Sequence, residues 1–227
     1  MPQALLLEIC AFNIESCIIA EKAGAHRIEL CAIRNEGGTT PSVELIRTVK
    51  EKLAIPVYPI IRPRGGDFLY TDAEFSQMLH SIQICKELGC EGIATGVHLK
   101  NSEIDKLRFT KLVEAAYPMK VTCHRVFDRT PDPFKALSDL IEIGCERILT
   151  SGHAPSAIDA TKFLSQLVQA AGNNIIIMPG GGLRSSNIQQ LIKETGAKEY
   201  HTSAITDNTE MIDENELLQI IHFMNNY

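Results

Sequence analysis

The sequence predicts an α/β fold, a TIM-like (β/α)8 barrel built as a single domain over residues 1–227. Three observations carry that prediction. Short apolar runs alternate with longer stretches of helical period along the whole chain, the pattern of repeated βα units. The joints that lead into strands two, four, six and eight share a design: E-K-A-G-A-H-R-I-E-L, K-E-L-G-C-E-G-I-A-T, I-E-I-G-C-E-R-I-L-T and K-E-T-G-A-K-E-Y-H-T, with Gly24, Gly89, Gly144 and Gly196 at the turn. Polar side chains gather where strands end, as in Lys120–Asp128 (K-V-T-C-H-R-V-F-D). A doubly wound open sheet is the alternative, but it normally has fewer strands and a G-x-G-x-x-G turn near its start, which is absent here.

Each element has a local reason. The first strand, Leu5–Cys10, is a short apolar run, and Asn13 then suits a helix N-cap because its side chain can accept an orphan amide. That helix runs to Gly24, which suits a left-handed C-cap. Strand two is His26–Cys31, and Pro41-Ser42 opens a helix to Leu53. Strand three is Val57–Ile61, followed by the long loop R-P-R-G-G-D and a helix over Asp72–Leu88. Strand four is Gly92–Thr95, with a helix predicted over Ser102–Ala116. Strand five, Val121–His124, precedes a helix opened by Pro133 and ended at Gly144, since proline is tolerated in a first turn. Strand six is Arg147–Thr150, with a helix over Pro155–Ala171. Strand seven, Ile175–Met178, runs into Pro179 and three glycines, and the next helix is predicted over Ser185–Glu194. Strand eight is Tyr200–Ser203, and an acidic linker leads to a last helix at Glu214–Asn225.

Bulk properties narrow the partners. A net charge of -6, from 22 basic and 28 acidic residues, argues against nucleic acid. No apolar run reaches the ~20 residues of a membrane span. Ala4–Leu7 is too short for a signal core, lacks a basic leader and is broken by Glu8. The seven cysteines are scattered, with no C-x-x-C pair. Free thiols in the cytoplasm are therefore expected. Assembly into a homo-oligomer is left open.

Alternation along a strand says which side chains share a face. Glu8 and Cys10 share one, as do Arg27, Glu29 and Cys31, Ile60 and Arg62, Thr122 and His124, and His201 and Ser203. A plain barrel interior would carry Val, Ile or Leu at such positions. Glu8 and Glu29 are each explicable as a buried partner of Arg27 or Arg62; two carboxylates on adjacent strands are harder to explain by packing alone. Glu8, Glu29 and His124 are acid–base candidates, Arg62 and Arg125 anion holders, and Asp128 a neighbouring acid or a loop cap. Gly180, Gly181 and Gly182 form a candidate phosphate-binding loop, with a helix expected to aim its positive end there. Thr202, Ser203 and Ser151 add hydroxyl contacts. Cys10 and Cys31, with His201 more remote, are candidate ligands for a soft ion such as Cu(I). Cys17, Cys85, Cys90, Cys123 and Cys145 fit packing roles.

With these residues in view, the sequence resembles the copper homeostasis protein CutC family. The match rests on L-E-I-C, G-A-H-R-I-E-L-C, E-G-G-T-T-P-S, I-I-R-P-R-G-G-D-F, A-T-G-V, H-R-V-F-D, L-T-S-G and Y-H-T-S-A, spread over nearly the whole chain. The resemblance implies one TIM-like barrel, a cytoplasmic location and an association with copper handling. Departures are His98 after T-G-V, where the family continues with Leu and an acid; Cys123 in place of an aromatic; and His153 after T-S-G.

Three functions stand beside one another at this point. The first is a copper-homeostasis protein that binds copper itself. The second is a barrel enzyme using acid–base chemistry on a small phosphorylated or anionic metabolite. The third is an interaction scaffold, which leaves the inward Glu and Arg without a purpose.

Overall fold

The structure, a computed structural model, describes residues 5–227. Eight strands alternate with eight helices. They are β1 (Leu6–Ala11), α1 (Ile14–Ala23), β2 (Arg27–Leu30), α2 (Val43–Lys52), β3 (Val57–Ile61), α3 (Asp72–Glu87), β4 (Gly92–Thr95) and α4 (Lys106–Ala116). Then come β5 (Lys120–Cys123), α5 (Pro133–Ile143), β6 (Arg147–Thr150), α6 (Thr161–Ala171), β7 (Ile176–Pro179), α7 (Ile188–Thr195), β8 (Glu199–Thr202) and α8 (Glu214–Asn225). All pairings are parallel, in the order β7-β6-β5-β4-β3-β2-β1-β8. A single parallel bridge, Gly180 to His201, brings the two outer strands together and closes the barrel.

The local chemistry works as the sequence suggests. Asn13 accepts from the Ser16 amide and Gly24 ends α1 in the left-handed region. Thr71 and Glu74 form a reciprocal capping box at α3. All four joint glycines have positive φ, so the repeat in the sequence is a repeat of turn geometry.

Three helices start later than predicted, two of them because a side chain intervenes. Asp105 caps α4 by accepting from the Arg108 amide, so residues 99–104 form a separate turn with Ser102 at φ 63°. A short 3-10 turn over Ala157–Ala160 precedes α6. Before α7, the Asn187 side chain holds the Arg184 amide at 2.9 Å. The Glu216 carboxylate from α8 holds the Ser185 amide and hydroxyl at 2.8 and 2.7 Å.

The main core lies between barrel and helices. Ile9, Ile28, Ile61, Ile93, Val121, Ile148, Ile177 and Tyr200 face outward into it. Burial of one such side chain contributes about 1.5–3 kcal/mol. A small second cluster, Cys31, Ile60 and Ala94 with Cys10 and Phe12 against it, lies apart from that core. Gly92 is glycine for a steric reason: a Cβ there would lie 2.4 Å from the Tyr58 ring and 2.7 Å from the Lys120 carbonyl.

Candidate functional site

Strand register sets the polar residues in two levels. At the lower level, Glu8 on β1 stands opposite Arg27 on β2. The Arg27 guanidinium donates to Glu8 through Nε and to Glu199 through Nη2, the latter at 2.6 Å. Arg147 Nε donates to the same Glu199 carboxylate at 3.0 Å. Both guanidinium groups also lie over the Tyr58 ring, 5.0 and 5.3 Å from its centre. Burial pushes the Glu8 carboxyl up, but Arg27, His201 and Arg147 together pull it down to about 2. This level is a closed ion-pair network whose carboxylates and guanidinium groups answer one another.

The upper level sits at the C-terminal ends of the strands. Cys10 lies opposite Glu29, with Cys31 just past the end of β2. The two Sγ atoms are 3.6 Å apart, and the candidate ligand atoms of Cys10, Glu29 and Cys31 all lie within 4.8 Å of one another. Contact with Cys31 stabilises the Cys10 thiolate and, with His201, holds it at about 6 against its burial. The proton stays with Cys31, whose thiol is pushed well up. Burial and the neighbouring Cys10 thiolate raise Glu29 well above the ordinary carboxylate range. His201 donates through Nδ1 to Glu8 at 2.8 Å and turns Nε2 toward Glu29 at 3.6 Å. Burial alone would lower this imidazole, but Cys10, Glu8 and Glu29 raise it to about 10. The level therefore carries a thiolate and an imidazolium beside a neutral carboxyl.

A cavity of about 240 Å³ opens above this level, lined among others by Cys10, Glu29, Arg62, His124, Arg125, Gly181, Gly182, His201, Thr202 and Ser203. His124 Nδ1 accepts from the Val126 amide at 3.2 Å, which leaves the ring proton on Nε2. Among the described residues, that Nε2 is buried without a partner. Burial, and then the charge of Arg62, hold His124 down to about 3, so the ring is neutral. Arg62 spends its guanidinium on main chain, Nη1 donating to the Glu36 and Gly38 carbonyls at 2.7 and 2.9 Å and Nη2 to Gly66 at 3.1 Å. Its Nε is buried and unpaired, and it lies over Phe68.

The structure brings some of the predicted site residues to the cavity and leaves others away from it. Glu8 lies below the cavity as the partner of Arg27, so the packing explanation accounts for it. His124 Nδ1 is taken up by the Val126 amide, so the nitrogen left for the cavity is the protonated Nε2. Asp128 and Ser151 do not line the cavity. Asp128 accepts from Arg125 Nε at 2.6 Å, from the Thr150 hydroxyl at 2.5 Å and from the Ser151 and His153 amides. Ser151 is fully buried and donates to the Ala154 carbonyl at 2.6 Å. Both therefore hold Arg125, whose Nη2 donates to the Ser151 hydroxyl at 2.8 Å. Gly180 belongs to the sheet, its amide donating to Thr150. Thr202 spends its hydroxyl on the Leu183 carbonyl at 3.0 Å. No helix points at the glycines directly, because Leu183–Asn187 intervenes before α7. His98 pins its own loop, accepting from the Phe68 amide through Nε2 and facing the Leu99 carbonyl through Nδ1.

Four participants escaped the sequence reading. Glu199 and His201 share a strand face, as do Arg147 and Leu149, so alternation would have found the Arg147–Glu199 pair. Arg184, just past the glycines, and Phe68, at the end of the R-P-R-G-G-D-F run, both line the cavity.

The profile of the CutC family matches residues 5–206. The chain belongs to the CutC family. A CutC family protein of Parabacteroides distasonis is 52% identical over 200 residues, covering 88% of this chain and 82% of that protein. One from Salmonella schwarzengrund is 46% identical over 199 residues, covering 88% and 79%. The crystal structure of a Streptococcus agalactiae CutC, named for copper homeostasis, superposes with a TM-score of 0.84 at 35% identity, covering 88% of this chain and 98% of that one. Phosphoribosylanthranilate isomerase of Thermotoga maritima superposes with a TM-score of 0.65 at 12% identity, covering 98% and 100%, a likeness of fold alone. Among the described residues, no helix of this CutC chain is long and apolar enough to cross a membrane.

Proposed function

We propose that this CutC chain takes part in copper homeostasis by holding Cu(I) as cargo between Cys10 and Cys31. One observation carries the reading: two thiols, on β1 and just past the end of β2, 3.6 Å apart, with one of them ionised near neutral pH. Soft sulfur ligands select Cu(I), and a thiolate is the form that binds. Cys10 lines the cavity and is half-buried, so an ion has a route in, whereas Cys31 is buried behind it. Glu29, a carboxyl raised well above its usual range, is a poor ligand for such a soft ion. The family name agrees with this reading. It also requires reduced thiols, which fits a cytoplasmic location.

The test is anaerobic loading with Cu(I), followed by metal analysis of the desalted protein. The wild type is expected to retain one ion per chain, and Cys10→Ser with Cys31→Ser to retain none. Equal retention by the double variant would refute the site.

A further inference from the structure

We propose that the rim formed by the loops after β7 and β8 seats the phosphate group of a small phosphorylated metabolite, whose uncharged body reaches down the cavity to the Nε2–H of His124. This goes beyond the copper reading and uses neither of its sulfur atoms.

The argument starts from charge. In the lower level every guanidinium faces a carboxylate. At the cavity this is not so. Arg62 and Arg184 both line it, and among the described residues neither has a carboxylate within salt-bridge reach. Arg184 donates only to the Leu183 and Ile205 carbonyls, at 3.0 and 2.9 Å, leaving Nε free. Carbonyls orient a guanidinium without neutralising it, so two cations are left for a ligand to answer.

The second step is directional. Arg125 uses Nε on Asp128 and Nη2 on Ser151, so Nη1 has no partner among the described residues. That nitrogen would lie 2.9 Å from a Cβ on Gly181, where φ is 99°. The glycine therefore lets the guanidinium close over the loop. The Gly182 and Ser203 amides beside it find no acceptor among the described residues. Donors arriving from two loops and two arginines suit a tetrahedral group with several acceptor oxygens better than a planar carboxylate.

The third step is the buried donor. His124 is 3% exposed, and its unpartnered Nε2–H lines the same cavity. A buried donor without a protein acceptor is costly, so a ligand oxygen placed there would supply the hydrogen bond. Size sets the class. The 240 Å³ cavity is below the roughly 300–1,000 Å³ of common ligand sites, which admits a short phosphate monoester and excludes a nucleotide.

Calorimetric titration with glycerol 3-phosphate tests the proposal, with glycerol and citrate as parallel arms. The wild type is expected to bind glycerol 3-phosphate and neither of the others. Arg184→Met is expected to weaken binding about tenfold through the loss of a charge-assisted contact. Gly181→Ala is expected to weaken it as well, by displacing Arg125. Binding of glycerol 3-phosphate by wild type that retains no Cu(I) would leave this site standing while the copper site falls. The proposal is overturned if glycerol 3-phosphate fails to bind, if citrate binds equally well, or if folded Arg184→Met binds unchanged.

Discussion

The lower level of the barrel and the cavity above its upper level both hold guanidinium groups and use them in opposite ways. Below, Glu8, Arg27, Glu199 and Arg147 satisfy one another. Above, the guanidinium groups of Arg62 and Arg184 donate only to carbonyls, and His124 Nε2 and Arg62 Nε have no hydrogen-bond partner, among the described residues. Buried charge by itself therefore does not mark a binding site in this molecule. The proposed phosphate site rests instead on unused hydrogen-bonding and charge capacity.

The largest way to test that contrast is to remove Arg27. Arg27→Met leaves Glu8 and Glu199 short of their shared partner, and breaking a buried pair from one side costs about 3–5 kcal/mol. Urea unfolding at neutral pH measures it, and a cost under about 1 kcal/mol would show that the lower level is not a closed network.

Acid sharpens the contrast next. His124 is held at about 3 against an ordinary 6.5. Its contribution is complete above 6.5 and is lost as pH falls toward 3, because the unfolded chain takes the proton first. Between pH 7.5 and pH 5 this amounts to about 2 kcal/mol. His201, raised to about 10, acts in the opposite sense. Glu8 begins to lose its contribution only below about 4.5. The measurement is thus the difference between wild type and His124→Asn: the variant should lack this 2 kcal/mol of acid sensitivity, and parallel pH profiles would count against a neutral buried ring.

The smallest effect is expected at the rim. Arg184→Met removes a half-buried side chain held by two carbonyls, and should change stability by about 1 kcal/mol or less while altering anion binding. A larger loss of stability would place Arg184 with the structural arginines below.

Much of this was legible in the chain. The barrel followed from strand-length apolar runs and from the joint glycines, whose left-handed geometry leaves a mark in composition. The face shared by Glu8 and Cys10, and by Glu29 and Cys31, followed from alternation alone. The division into two levels did not, because alternation fixes a side and not a height; height comes from the stagger of paired strands, seen only once Glu8 is found opposite both Arg27 and His201. The role of Asp128 was equally hidden. Its partners Thr150 and Ser151 come from the next strand and loop, and nothing near position 128 announces them.

The Glu216 carboxylate gives the last helix a duty beyond covering apolar surface. It latches Ser185 across from α8 and so tethers the segment that carries Arg184. A chain shortened to the span matched by the family profile, ending at residue 206, would keep every strand and lose that latch. Trimming the tail would therefore reach the cavity at a distance, by slackening one of its arginines.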